Sequence, residues 1–436
     1  MEWSWQRIPS EFLVTGVKLC RQGKLGKRKG FLHVRKGRIE GLGVGVPKVE
    51  GIPALDGDGL VCAPGFVDLH VNFREPGHEE KETVATGCRA AAAGGYTSVV
   101  TMPDTDPAID NSGMVRYLID RGREAGLCRV HPTGAISPGL QGQGMTEFGD
   151  MVNAGAVGFT DSGTPVASGG LMANALKYAA VLGVPIITHA EDRSIVGKGC
   201  MHGGYWSARL GMSGMSRAGE DAAVFRDVEL ARSTGGHLHV AHVSTKGAVE
   251  IIRRAKAEGL RVTAEATPHH VSLDHSRCRD YSPLFKTNPP LRETDDVNAV
   301  AEGLADGTID CLATDHSPHT DTEKEHQFDQ APFGVTGLET ALGAGITYLV
   351  NTGVMDLGRL VESMSETPAR IFNLPAGRLE EGAEADFVLF DPDRQWVVEA
   401  DRFQSLSRNS AYLGETLTGR VTATFRGGRL TWRDDR

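Results

Sequence analysis

From Gly65 onward the sequence alternates short apolar runs with longer amphipathic ones, and this alternation limits the fold more than any other feature. The short runs fall at 66–70, 98–102, 129–133, 156–160, 185–189, 237–242, 261–265 and 311–314. Helical patterns lie between them at 83–93, 112–125, 146–154, 170–182, 219–234, 246–258 and 295–306, and two more follow at 337–351 and 356–367. Runs so short and apolar read as buried strands, and strands alternating with helices pair in parallel. Eight such units predict an α/β fold built on a (β/α)8 TIM barrel. Strand-rich stretches precede the barrel at 12–19, 31–34, 38–41 and 59–62, and others follow at 386–390, 396–398, 420–426 and 429–431. Both chain ends are expected to share one small β-sheet. The predicted division is a β domain of residues 1–63 and 376–436 beside a barrel of residues 64–375.

In a barrel the C-terminal ends of the strands face one pocket. The first strand runs into Leu69-His70-Val71-Asn72-Phe73-Arg74. Side-chain direction repeats every two residues, so His70, Asn72 and Arg74 aim one way. Arg74 ends in a fork that suits a carboxylate. Later ends carry Met102-Pro103-Asp104, Thr160-Asp161-Ser162, His189, His242 and Asp315. A lone buried His is most often a satisfied core residue. Three His and one Asp at four separate strand ends are harder to explain that way. Imidazole together with carboxylate suits Zn²⁺ or a similar divalent ion.

Composition narrows the partners. With 46 basic and 56 acidic residues the net charge is −10, and no long basic run exists, so neither nucleic acid nor an anionic membrane is an expected partner. No run of eighteen apolar residues is present, so no membrane span is expected. The opening Met1-Glu2-Trp3-Ser4-Trp5 shows no targeting pattern. The seven cysteines have no CxxC spacing, which points to a reducing, cytoplasmic setting and away from a thiolate metal site.

Further motifs are Ala90-Ala91-Ala92-Ala93-Gly94-Gly95-Tyr96-Thr97, His189-Ala190-Glu191-Asp192, Ala241-His242-Val243-Ser244-Thr245, Thr267-Pro268-His269-His270, Asn288-Pro289-Pro290-Leu291-Arg292, Ala313-Thr314-Asp315-His316-Ser317-Pro318-His319 and Ala331-Pro332-Phe333-Gly334. With Phe73-Arg74-Glu75-Pro76-Gly77 they resemble, in order and over nearly all of residues 60–430, the long bacterial dihydroorotases of the amidohydrolase superfamily. The resemblance implies interconversion of N-carbamoyl-L-aspartate and (S)-dihydroorotate in pyrimidine biosynthesis. It implies a metal held by His70, His189, His242 and Asp315, with Asp315 also the catalytic acid and base. Arg74, Asp104, Asn288, His319 and the backbone of Phe333 and Gly334 fall at its substrate-binding positions. Residues 320–328 could cover the site or be a surface excursion without a role. A homodimer and a complex with aspartate carbamoyltransferase are the partners it suggests.

Three positions depart from the family pattern. Asn72 stands where a second His is usual, Ser162 where a carboxylate bridges two metals, and Asp104 where an amide helps bind the substrate carboxylate. Asn72 and Ser162 are weak ligands, so at most one tightly bound metal per chain, Zn²⁺ by its donors, is expected. Asp104 would set a negative charge against the substrate's own. The second reading is therefore an impaired or inactive dihydroorotase-like scaffold for aspartate carbamoyltransferase. Hydantoinases and allantoinases commonly use a carboxylated Lys at the fourth strand. No Lys lies between Asn153 and Asn174, so they rank lower.

Overall fold

The computed structural model describes residues 8–49 and 51–435; the opening pentapeptide read above lies outside them. Phe66–Val71 is a strand buried at every position, as a strand covered on both faces must be. Its one carboxylate, Asp68, accepts from the backbone N–H of His70 at 3.1 Å and of Thr314 at 3.0 Å. Asp68 thus ties the first strand to the last.

Phe66–Val71, Tyr96–Thr101 and Arg129–Pro132 form one parallel run. Ile186–Thr188, Leu238–Val240, Val262–Ala266 and Cys311–Leu312 form another. Phe159 joins them, bridging to Gly134 on one side and Ile186 on the other, and a Val71–His316 bridge closes the ring. The result is the expected barrel, with helices such as Val84–Ala93, Ser112–Ala125 and Arg217–Thr234 between its strands.

Three expectations are corrected, the third in the large sheet. The strand at 156–160 is reduced to the single bridging residue Phe159. Its neighbours carry Pro132 and Pro185 at the facing positions, and proline donates nothing to a ladder. The helix at 356–367 divides into Leu357–Met364 and Glu366–Ile371. Pro368 has no N–H and its ring crowds the preceding turn, so the chain breaks at Ser365.

Outside the barrel the largest sheet has the order Arg429–Arg433, Thr416–Arg426, Phe387–Val397, Val61–Pro64, Glu11–Arg21, Gly30–Arg35, Arg38–Val44. The two chain ends meet at its centre, where Val61–Pro64 runs antiparallel to Phe387–Val397 with Phe387 opposite Pro64. The separate strands expected at 386–390 and 396–398 are one strand, whose register slips between Asp391 and Gln395, around Pro392. A bulge is where a proline fits inside a sheet. Phe12, Leu32, Phe387 and Phe425 form the core of this sheet.

Candidate active site

The barrel's strand ends surround a cavity of about 260 Å³. Its wall contains His70, Asn72, Arg74, Asp104, Ser162, His189, His242, Asn288, Asp315, His319, Phe333 and Gly334, all of the residues singled out from the sequence, together with Gly163 and Ser317.

The imidazoles fall into two groups. His70 places Nδ1 2.7 Å from Glu265 Oε1, which leaves Nε2 toward the cavity, 3.5 Å from Asp315 Oδ1. Glu265 also meets His239 Nε2 at 3.1 Å. A carboxylate behind an imidazole fixes its tautomer and orientation. Burial opposes a charge on His70, but the Asp315 and Glu265 carboxylates overcome it and push its pKa up to about 9. Burial likewise opposes the Glu265 charge, and His70 and His239 hold it at about 2. For Asp315, burial outweighs the pull of His70 and raises the pKa.

On the other side His189 Nδ1 and His242 Nε2 are 2.8 Å apart. The Asn288 amide donates to His189 Nε2 at 3.3 Å and to Glu191 at 2.9 Å. Burial, then His189 and His70, hold His242 neutral well below the usual imidazole range. Its Nδ1 is buried without a hydrogen-bond partner among the described residues. The His70 and His242 rings, with centroids 5.3 Å apart, bring both groups into one space.

Asn72 is turned to the chain: its amide donates to Ser317 Oγ at 2.9 Å and to His316 O at 3.2 Å, with Asp315 at a longer 3.4 Å. Asp161 points away, accepting from the N–H groups of Ile136 and Ser137 at 2.8 and 3.0 Å. Asp104 is not a bare charge. It accepts from Arg74 Nη1 at 2.8 Å, and Arg74 Nε donates to Pro318 O at 3.3 Å. His319 Nε2 meets Phe333 O at 2.8 Å, and burial, with Arg74 next, pushes its pKa down to about 3. Gly334 has φ +118°, and an added Cβ would come 2.5 Å from Ser317 Cβ, so a side chain does not fit there.

Sequence reasoning passed over four residues. Glu265 ends an apolar strand, as Asp68 interrupts another, and that isolated carboxylate was the available signal. Ser317 meets Asn72. Lys286 and Lys324 carried no signal, yet both are buried. Lys286 Nζ donates to Ala331 O at 2.5 Å and Asp329 O at 3.1 Å, and Lys324 Nζ to Pro332 O at 2.9 Å and Pro283 O at 3.1 Å. They hold down the segment that runs through the short helix Asp321–Lys324 and the buried Phe328 to Phe333.

Among the described residues two groups place three metal-capable atoms within 4.8 Å of one another: His239, Glu265 and Cys311 beside His70, and His202, His275 and Glu293 elsewhere; His70, His189, His242 and Asp315 lie around one cavity but no three of them are gathered that closely. No helix among the described residues is long and apolar enough to cross a membrane.

Residues 59–248 match the family described as dihydro-orotase-like. The dihydroorotase of Pelobacter propionicus is 47% identical over 92% of this chain and 95% of its own. That of Pelotomaculum thermopropionicum is 46% identical over 94% and 96%. Among solved structures, L-hydantoinase (dihydropyrimidinase) from Arthrobacter aurescens superposes with a TM-score of 0.86 at 27% identity, covering 97% of this chain and 96% of that one. Dihydropyrimidinase from Brevibacillus agri gives 0.83 at 20% identity over 98% and 96%, a likeness of fold.

Proposed function

The chain belongs to the dihydroorotase family, and on that premise we propose that its cavity interconverts N-carbamoyl-L-aspartate and (S)-dihydroorotate. The observation that carries this reading is the gathering of the family's site positions around one cavity of the barrel.

Asp315 is the acid and base. Its carboxyl lies in the cavity wall, and burial raises its proton affinity toward the range where a group both takes and returns a proton. In hydrolysis it takes the proton of the attacking water and delivers it to the departing ring nitrogen. Arg74 grips the substrate carboxylate through its fork. Asn288 and His319 orient the ring, whose edge meets the backbone of Phe333 and Gly334. His70, His189, His242 and Asp315 would hold a divalent metal, Zn²⁺ by donor type. The unpartnered Nδ1 of His242 fits that reading, being a buried donor atom that the protein leaves unused. When bound, such an ion supplies Lewis acidity. The cavity holds at most one ion tightly. With neutral Ser162 at the bridging position, two ions about 3.5–4 Å apart would lack the negative charge that offsets their repulsion.

Our partner and location readings are a homodimer, a complex with aspartate carbamoyltransferase, and the cytoplasm. All seven cysteines are free and buried, which fits a reducing compartment. Co-elution with aspartate carbamoyltransferase in gel filtration tests the complex. The activity is tested by assaying both directions of the reaction with Zn²⁺ supplied. Turnover of order 1–10³ s⁻¹ is expected; no turnover in either direction would leave only the scaffold.

A further inference from the structure

We infer that His202, His275 and Glu293 form a second divalent-metal site, of the Zn²⁺ class, separate from the catalytic cavity. None of the three lines that cavity. They come from three elements. His202 ends the short strand Met201–His202, His275 opens the 3₁₀ turn His275–Asp280, and Glu293 is the N-cap of helix Thr294–Asp306. One ligand atom from each lies within 4.8 Å of the others.

His202 is 1% exposed, and its Nε2 has no hydrogen-bond partner among the described residues; the same holds for the buried Nδ1 of His275. A buried imidazole nitrogen without a partner is unfavourable unless something binds it. Glu293 Oε2 is taken by Arg217, while Oε1 faces His202 Nε2 at 3.9 Å. Tetrahedral ligands about 2.0–2.1 Å from Zn²⁺ sit roughly 3.4 Å apart, so closing this pair needs only about half an ångström. The space between them is kept open by Gly204. A Cβ there would lie 3.1 Å from both His202 Nε2 and Glu293 Oε1.

Two arginines stand nearby, and neither blocks the site. Arg217 is held by Glu293 and Asp296, and Arg292 by Glu220 at 3.1 Å. Arg292 also approaches His202 Nδ1 at 3.4 Å. Coordination at Nε2 puts the ring proton on Nδ1, so Arg292 gives up this longest contact and keeps Met215 O, Ser244 Oγ and Glu220. The Glu293 side chain is 37% exposed, which leaves an entry for the ion.

The test uses the untagged full-length chain, stripped with chelator, reloaded with Zn²⁺ and dialysed. His275→Ala removes a ligand. Gly204→Ala leaves all three ligands and fills the gap, and either variant that folds decides the matter. The expected result is one Zn²⁺ equivalent fewer than wild type, loss of one step of Zn²⁺-dependent thermal stabilisation, and undiminished dihydroorotate hydrolysis. A Zn²⁺ count equal to wild type in a folded variant overturns the site.

Discussion

At the scale of single residues, the three departures from the family pattern acquire distinct physical meanings. Asp104 and Arg74 neutralise each other at 2.8 Å, so under the proposed role of Arg74 a substrate carboxylate would compete with Asp104 for the guanidinium. Charge-assisted hydrogen bonds contribute about 1.5–3 kcal/mol. Asp104→Asn is therefore expected to lower the KM for dihydroorotate about tenfold with kcat nearly unchanged, read from steady-state kinetics. Asn72 spends its amide N–H groups on Ser317 and His316, which ties its side chain to that loop. Asn72→His and Ser162→Asp together should tighten Zn²⁺ binding by more than the sum of the singles, because both act on one ion, with a coupling of about 0.5–3 kcal/mol. Chelator competition in the His275→Ala background measures this for the cavity alone. Additive singles would show that the two positions do not share an ion.

At the scale of elements, the segment after Asp315 is held by buried lysines as well as by the apolar seat of Phe328. Burial pushes Lys324 down to about 7, Lys286 and Arg74 adding to the effect. The ordinary unfolded value is about 10.4. Between these values the unfolded chain binds the proton and the folded one does not, so stability rises as pH goes from about 7 to about 10 and is lost on the way down. The slope from this group is at most about 1.4 kcal/mol per pH unit. Lys324→Met should flatten that rise, as followed by thermal melting across the window; an unchanged slope would show that another group titrates there. The strand expected at 156–160 belongs at this scale too. Its pattern was apolar, but a ladder needs donors from its neighbours, and those carry Pro132 and Pro185.

At the scale of the molecule, residues 11 and 433 belong to one sheet although most of the chain separates them. Phe387 and Phe425 stack at 4.4 Å in its core, and neither lines the cavity. Phe425→Ala should destabilise the protein by about 3–5 kcal/mol, as large-to-small core changes do. A lowered denaturant midpoint with unaltered catalysis in native buffer is the expected reading. We propose residues 1–63 with 376–436, against 64–375, as the two units to compare in such unfolding. The sequence by itself determined the barrel, the sheet shared by the chain ends and the residues at the strand ends. Period, punctuation and strand-end position are local properties, so Phe66–Val71 and its His70 could be read without any partner. Tertiary structure alone decided what those residues face. Glu265 lies 195 residues from His70, Ser317 lies 245 from Asn72, and Lys286 lies 45 from the carbonyl it holds. Hydrogen bonds and ion pairs act over a few ångströms of space whatever the distance along the chain. Their partners exist only once the barrel has closed.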